Sequence, residues 1–174
     1  MKFYALILGF VFFAISCKKD PKIVVKGELT VNINGVEWVG SINKPTATKF
    51  DINATRYKSI DKVFVNESGL LISNIPFELK TSTLKKIDFT QQDQKNLFCG
   101  FFTYQDDGDV ACDTYEIIET DSVNNWIKVT KQTNNYAEVW GTFSATFFRK
   151  QGCSATKYAD TLRFRDGVFH AYLK

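Results

Sequence analysis

Residues 29–40 read LTVNINGVEWVG, and this stretch spells a complete hairpin. Leu29, Val31 and Ile33 alternate with Thr30 and Asn32, the period of two expected of a strand with one buried face. Asn34-Gly35 then supplies two residues that accept the positive φ angles of a type I′ turn. Beyond it Val36, Trp38 and Gly40 alternate with Glu37 and Val39. This register places Ile33 opposite Val36 and Val31 opposite Trp38 on the buried face, with Asn32 opposite Glu37 outside.

The same signals recur along the chain. Asp166-Gly167 predicts a second hairpin, with Phe164 facing Phe169 and Leu162 facing Ala171 on the buried side. In that register Arg163 meets His170 and Arg165 meets Val168 on the other side. Strand patterns fall at 49–57, 69–75, 85–89, 97–104, 110–119, 125–131 and 137–149, the clearest being Val139, Gly141, Phe143, Ala145 and Phe147 alternating with Thr142, Ser144 and Thr146. Turn-forming residues fill 43–45, 66–69, 106–108 and 133–135. No segment carries apolar residues at helical spacing over three turns, and only TQQDQKN at 90–96 suggests a short helical piece.

Sixteen phenylalanines, seven tyrosines and three tryptophans suit strands better than helices. About ten short strands without crossover helices predict an all-β fold, an antiparallel β-sandwich or a partly closed barrel, with the sandwich preferred. One such domain is expected over 27–174.

The N-terminus carries a different signal. Met1-Lys2 is followed by FYALILGFVFFAI at 3–15 without a charge, the length of an export h-region and short of the roughly 20 apolar residues that span a bilayer. It ends Ala14-Ile15-Ser16-Cys17, which resembles the lipobox read by lipoprotein-processing enzymes. Residues 1–16 are thus expected to be a lipoprotein signal peptide, Cys17 the lipidated residue, and 17–26 a tether. Acyl chains contribute about 0.8 kcal/mol per buried methylene, so several on one cysteine anchor firmly.

Cleavage takes 16 of 174 residues and leaves 158, one ordinary domain. Without Lys2 the 22 Lys+Arg become 21 against 19 Asp+Glu, interleaved along the chain. No basic stripe marks a nucleic-acid partner. With Cys17 committed to lipid, Cys99, Cys112 and Cys153 allow three pairings in an oxidising compartment. Cys112 with Cys153 is preferred, since both lie beside predicted strand ends.

The lipobox with CKKD, the NING-VEW hairpin, GTFSATF and RDGVF together resemble a family of uncharacterised lipoproteins from Bacteroidetes-type bacteria. In that family a G-T-F-S strand precedes a G-x-F strand, and Gly141-Thr142-Phe143-Ser144 and Gly167-Val168-Phe169 match. The resemblance implies a β-sandwich-like domain of unknown function and transfers no catalytic residue. Lys18-Lys19-Asp20 is also similar to the lysine-and-acid signal that sends such lipoproteins to the outer surface, so an outer-membrane address is expected, the cell surface favoured over the periplasmic face.

Candidate chemistry is thin. The single histidine, His170, is expected beside Arg163 on the outer face, without a second metal ligand or a nucleophile at usable spacing. Tyr104-Gln105-Asp106-Asp107-Gly108-Asp109, with Asp113 beyond, crowds acids into a turn. Asp106, Asp107 and Asp109 form a candidate calcium site, weighed against ordinary turn chemistry. Trp140 points away from the side claimed by Val139 and Phe143, and with Tyr172, Tyr115 or Phe148 it would form an exposed ligand-binding patch, weighed against the preferred reading that a second sheet or a covering loop buries it. The expectation is a monomeric, lipid-anchored envelope domain that binds or builds and is not an enzyme, with a cell-surface glycan-binding accessory protein as the alternative and a glycan-acting enzyme with paired carboxylates behind it. Its partners are the membrane through the lipid and an envelope protein or a glycan, with no cofactor apart from the candidate calcium.

Overall fold

The computed structural model describes residues 27–42, 50–87, 96–153 and 157–173. The signal peptide, Cys17 and the tether lie outside the described residues, as do the predicted turn at 43–45 and nearly all of the helical piece at 90–96.

Ten strands form in chain order: β1 (Gly27–Ile33), β2 (Val36–Ile42), β3 (Phe50–Ile60), β4 (Val63–Ile75), β5 (Thr81–Thr83), β6 (Phe98–Tyr104), β7 (Ala111–Ile117), β8 (Trp126–Gln132), β9 (Glu138–Gln151) and β10 (Thr161–Tyr172). The sheet runs β10-β1-β2-β3-β4-β6-β7-β9, and β9 pairs again with β10. Eight antiparallel strands therefore close into a barrel, which removes the open edges a sandwich would leave. Closure rests on β10, whose two edges are filled by β1 and β9.

The opening hairpin forms in the predicted register, Ile33 opposite Val36 and Val31 opposite Trp38. Asn34 and Gly35 take φ of 50° and 86°. The second hairpin does not form. Asp166, at φ 56°, sits in a β-bulge within one continuous strand. Phe164 pairs with Ala145 and Gly167 with Phe143, so Arg165 and Asp166 together face Ser144. A bulge and a turn use the same chemistry, an Asp-Gly with positive φ, and two flanking partner strands decide for the bulge. The bulge still leaves Leu162, Phe164, Phe169 and Ala171 buried.

The predicted turn at 66–69 is likewise an irregularity inside β4, where the register slips between Arg56 and Tyr57. The chain reverses instead at Asp61-Lys62, both at positive φ. Of the strand expected at 85–89, Lys85 makes one isolated bridge to Phe98, while 88–89 lie outside the described residues.

β7 and β8 lie end to end along one edge of β9, Ile117 opposite Phe147 and Trp126 opposite Ser144. Asn125 fills the join. Its Oδ1 accepts the Thr146 N–H at 2.7 Å, and its Nδ2 donates to the Ile118 carbonyl at 2.7 Å. β5 pairs with the outer edge of β8.

The interior is packed with side chains. Phe101 lies at its centre, its ring 5.1 Å from Phe164, 5.8 Å from Tyr115 and 6.2 Å from Trp38. Glycines make room for rings: Phe169 lies against Gly141 and Phe143 against Gly167, each pair directly opposed across β9 and β10. This alternation of large and small residues is how a small barrel fills its lumen.

Candidate functional site at the barrel mouth

Strand directions sort the connections between two ends. Gly27, the first described residue, pairs with Ala171 near the end of β10, and the β8–β9 turn lies at the same end, since the Leu173 N–H donates to the Ala137 carbonyl. The opposite end gathers four connections: the Asn34 turn, the Asp61 turn, the β6–β7 turn and the β9–β10 connection. The predicted acidic turn belongs to this far end.

The described residues of the β9–β10 connection, 152–153 and 157–160, are held by several contacts. Cys153 is disulfide-bonded to Cys112 with Cα atoms 5.1 Å apart, while Cys99 is buried and free. Lys157 Nζ donates to the Tyr104 carbonyl at 3.4 Å. Tyr158 enters the barrel top edge-on to Phe101, ring centres 5.6 Å apart, and burial pushes its phenol above the ordinary range. Asp160 pairs with Arg149. The Asn34 side chain accepts the Arg163 N–H at 2.9 Å and donates to the Thr161 carbonyl at 3.0 Å.

Two hollows flank Lys157. One, about 520 Å³, lies between the 104–107 turn and the Cys112–Cys153 bridge. The other, about 300 Å³, lies between Asn34, Glu37, Arg56 and Tyr158, with Trp38 in its wall. Of the charged residues lining them, Asp106, Lys157 and Arg56 are ion-paired, while Asp107 and Glu37 have no cation partner among the described residues. Lys58 Nζ stands 2.7 Å from Asp106 Oδ1 and Lys157 Nζ 3.9 Å from it. The Lys58 ammonium holds the Asp106 carboxyl below the usual carboxylate range, and that carboxylate in turn raises Lys58. Arg56 Nε lies 2.9 Å from Glu67 Oε2.

The acidic residues singled out from the sequence separate here. Asp106 faces lysines. Asp107 accepts the Asp109 N–H at 3.2 Å, an Asx-type turn bond. Asp113 points into the barrel, fully buried, its Oδ2 accepting from the Thr103 hydroxyl at 2.9 Å. A divalent cation at Asp106 would have to compete with two ammonium groups already beside it. Cys112, Asp113 and Cys153 bring potential ligand atoms within 4.8 Å of one another, but bridged sulfurs are not the thiolates a metal requires.

Trp140 does face outward, in a ring cluster that includes the expected Tyr172 but not Tyr115. Tyr115 is buried in the core. Trp140 instead stacks on His170, ring centres 4.4 Å apart and planes 15° from parallel, and His170 meets Tyr172 at 4.5 Å. Lys131 Nζ lies 4.5 Å from the Trp140 ring centre. Lys131 comes from β8 and His170 from β10, on opposite sides of β9, so both faces of the indole are covered. His170 pairs across the sheet with Trp140 and lies 2.9 Å from Glu138 Oε2. Arg163, its expected neighbour, is far along the same strand, because the bulge replaces the hairpin.

Lys58, Arg56, Lys157 and Tyr158 carried no signal in the sequence. Arg56 and Lys58 lie on β3 and Lys157 and Tyr158 on the β9–β10 connection, and the two pairs meet only when the barrel closes. Comparison with protein-family models, curated proteins and solved structures finds no match.

Proposed function

We propose that this chain is a lipid-anchored module of the cell envelope, related to the uncharacterised Bacteroidetes-type lipoproteins it resembles, that binds a partner and performs no catalysis. The observation that carries this reading is the opposition of the two barrel ends: the chain joins from Cys17 at Gly27, and the pinned, hollowed mouth lies at the other end. A domain tethered in this way turns its mouth away from the membrane. The solid interior adds support, since a ligand must then be met at the surface. The address is the outer membrane, with the cell surface favoured, on the strength of the lipobox and Lys18-Lys19-Asp20.

Metabolic labelling with a fatty acid tests the anchor. The wild-type chain takes up label and fractionates with membranes, whereas Cys17→Ser does neither. Label retained by Cys17→Ser would sink the reading.

A further inference from the structure

We propose that the barrel mouth, on either side of Lys157, binds a neutral oligosaccharide. The inference rests on reading the chain as an envelope binding module and names the ligand class its mouth would take. Size comes first. Lys157 lines both hollows, of about 520 and 300 Å³, and pockets of roughly 300–1,000 Å³ hold small ligands. With one hollow on each side of Lys157, a ligand of at least two rings would place one in each.

Charge then selects the class. Asp106 is matched by Lys58 and Lys157, and Arg56 by Glu67. A phosphate or polyanion gains little where the lysines already face Asp106, Arg56 faces Glu67, and Asp107 and Glu37 add two further carboxylates to the lining. Hydroxyl groups differ: each donates and accepts at once, so it can bond to a carboxylate and an ammonium held side by side. The exposed Gln105 adds an amide with both functions. The Tyr104 and Tyr158 side chains, half-buried in these walls, supply apolar ring surface for the C–H faces of a sugar. The walls are fixed in advance by the disulfide, by Tyr158 packed on Phe101 and by the Arg149–Asp160 pair, which lowers the ordering cost of binding. Trp140 is excluded as the platform because its two faces are already stacked.

Isothermal titration calorimetry on the full lipidated chain in detergent tests this. The probes are maltohexaose, cellohexaose, xylohexaose, mannohexaose and chitohexaose, with polyphosphate and polylysine as charged controls. Saturable binding is expected for at least one neutral sugar and for neither control. Gln105→Ala and Lys157→Ala, both at exposed positions, should each weaken it about tenfold, the scale of one lost hydrogen bond, with an unchanged circular dichroism spectrum. Trp140→Ala should leave it unaltered. Silence towards all five sugars, a preference for a charged control, or undiminished affinity in both mouth variants overturns the proposal. Because none of these outcomes affects fatty-acid labelling at Cys17, a failed sugar site and a failed anchor give different results.

Discussion

Tyr115 shows how one residue's surroundings set its chemistry. Its hydroxyl is buried in the barrel without a hydrogen-bond partner among the described residues. Burial first, and the Asp113 carboxylate second, push its phenol from 10 up to about 12. The unfolded chain therefore sheds this proton before the fold does. The stability Tyr115 supports is complete below about pH 10 and drains away as pH climbs to about 12. Tyr115→Phe should cost less than about 1 kcal/mol at neutral pH, since no bond is lost, and should raise the midpoint of alkaline unfolding followed by circular dichroism. An unchanged alkaline midpoint would assign that titration to other groups. The alternation of 111–117 made Tyr115 legible as a strand residue; its inward direction was decided by which face of β7 the barrel encloses.

Among the elements, the join between β7 and β8 is the most exacting. β9 is fourteen residues long and each of its two partners on that edge is seven, so the ladder has to be handed from one to the other. Asn125 does this, with both halves of its amide engaged at 2.7 Å and no exposed surface. Asn125→Ala strands a buried N–H and a buried carbonyl. At about 1–3 kcal/mol for each unsatisfied group, a loss of about 2–6 kcal/mol is expected in urea unfolding. A loss under about 1 kcal/mol would mean that water replaces the amide. The bulge on β10 shows a related economy. Arg165 Nη1 donates to the Phe164 and Ala145 carbonyls at 2.8 and 3.1 Å, satisfying the ladder where the extra residue breaks it. Sequence periodicity marked most of these strands, but Asp-Gly and Asn-Glu-Ser-Gly read as turns because bulges and turns ask for the same residues.

At the scale of the whole molecule, the Cys112–Cys153 bond ties the start of β7 to the β9–β10 connection, across a sequence separation of 41. A loop of that length is worth about 2–4 kcal/mol to the fold. Cys112→Ser with Cys153→Ser should lower stability by that amount in guanidinium unfolding, and dithiothreitol should bring the wild type to the same midpoint. If the double variant matches the oxidised wild type, the bridge adds nothing. Cys99 stays out of this exchange because burial raises its thiol well above the ordinary range, leaving little thiolate to attack.

The sequence by itself determined what is local. The Asn34-Gly35 hairpin and its register, the buried face of each clear strand and the all-β class follow from period-two alternation and turn chemistry, which act over a few neighbours. Tertiary structure decided what depends on closure. Pairing of β10 with both β1 and β9 made the sheet a barrel and turned a predicted hairpin into a bulge. The same closure covered both faces of Trp140 and carried Arg56, Lys58, Asp106, Lys157 and Tyr158 to one mouth. Of these residues, Arg56 and Tyr158 lie 102 positions apart in the chain and line one hollow, and no short-range pattern in a chain encodes such a meeting.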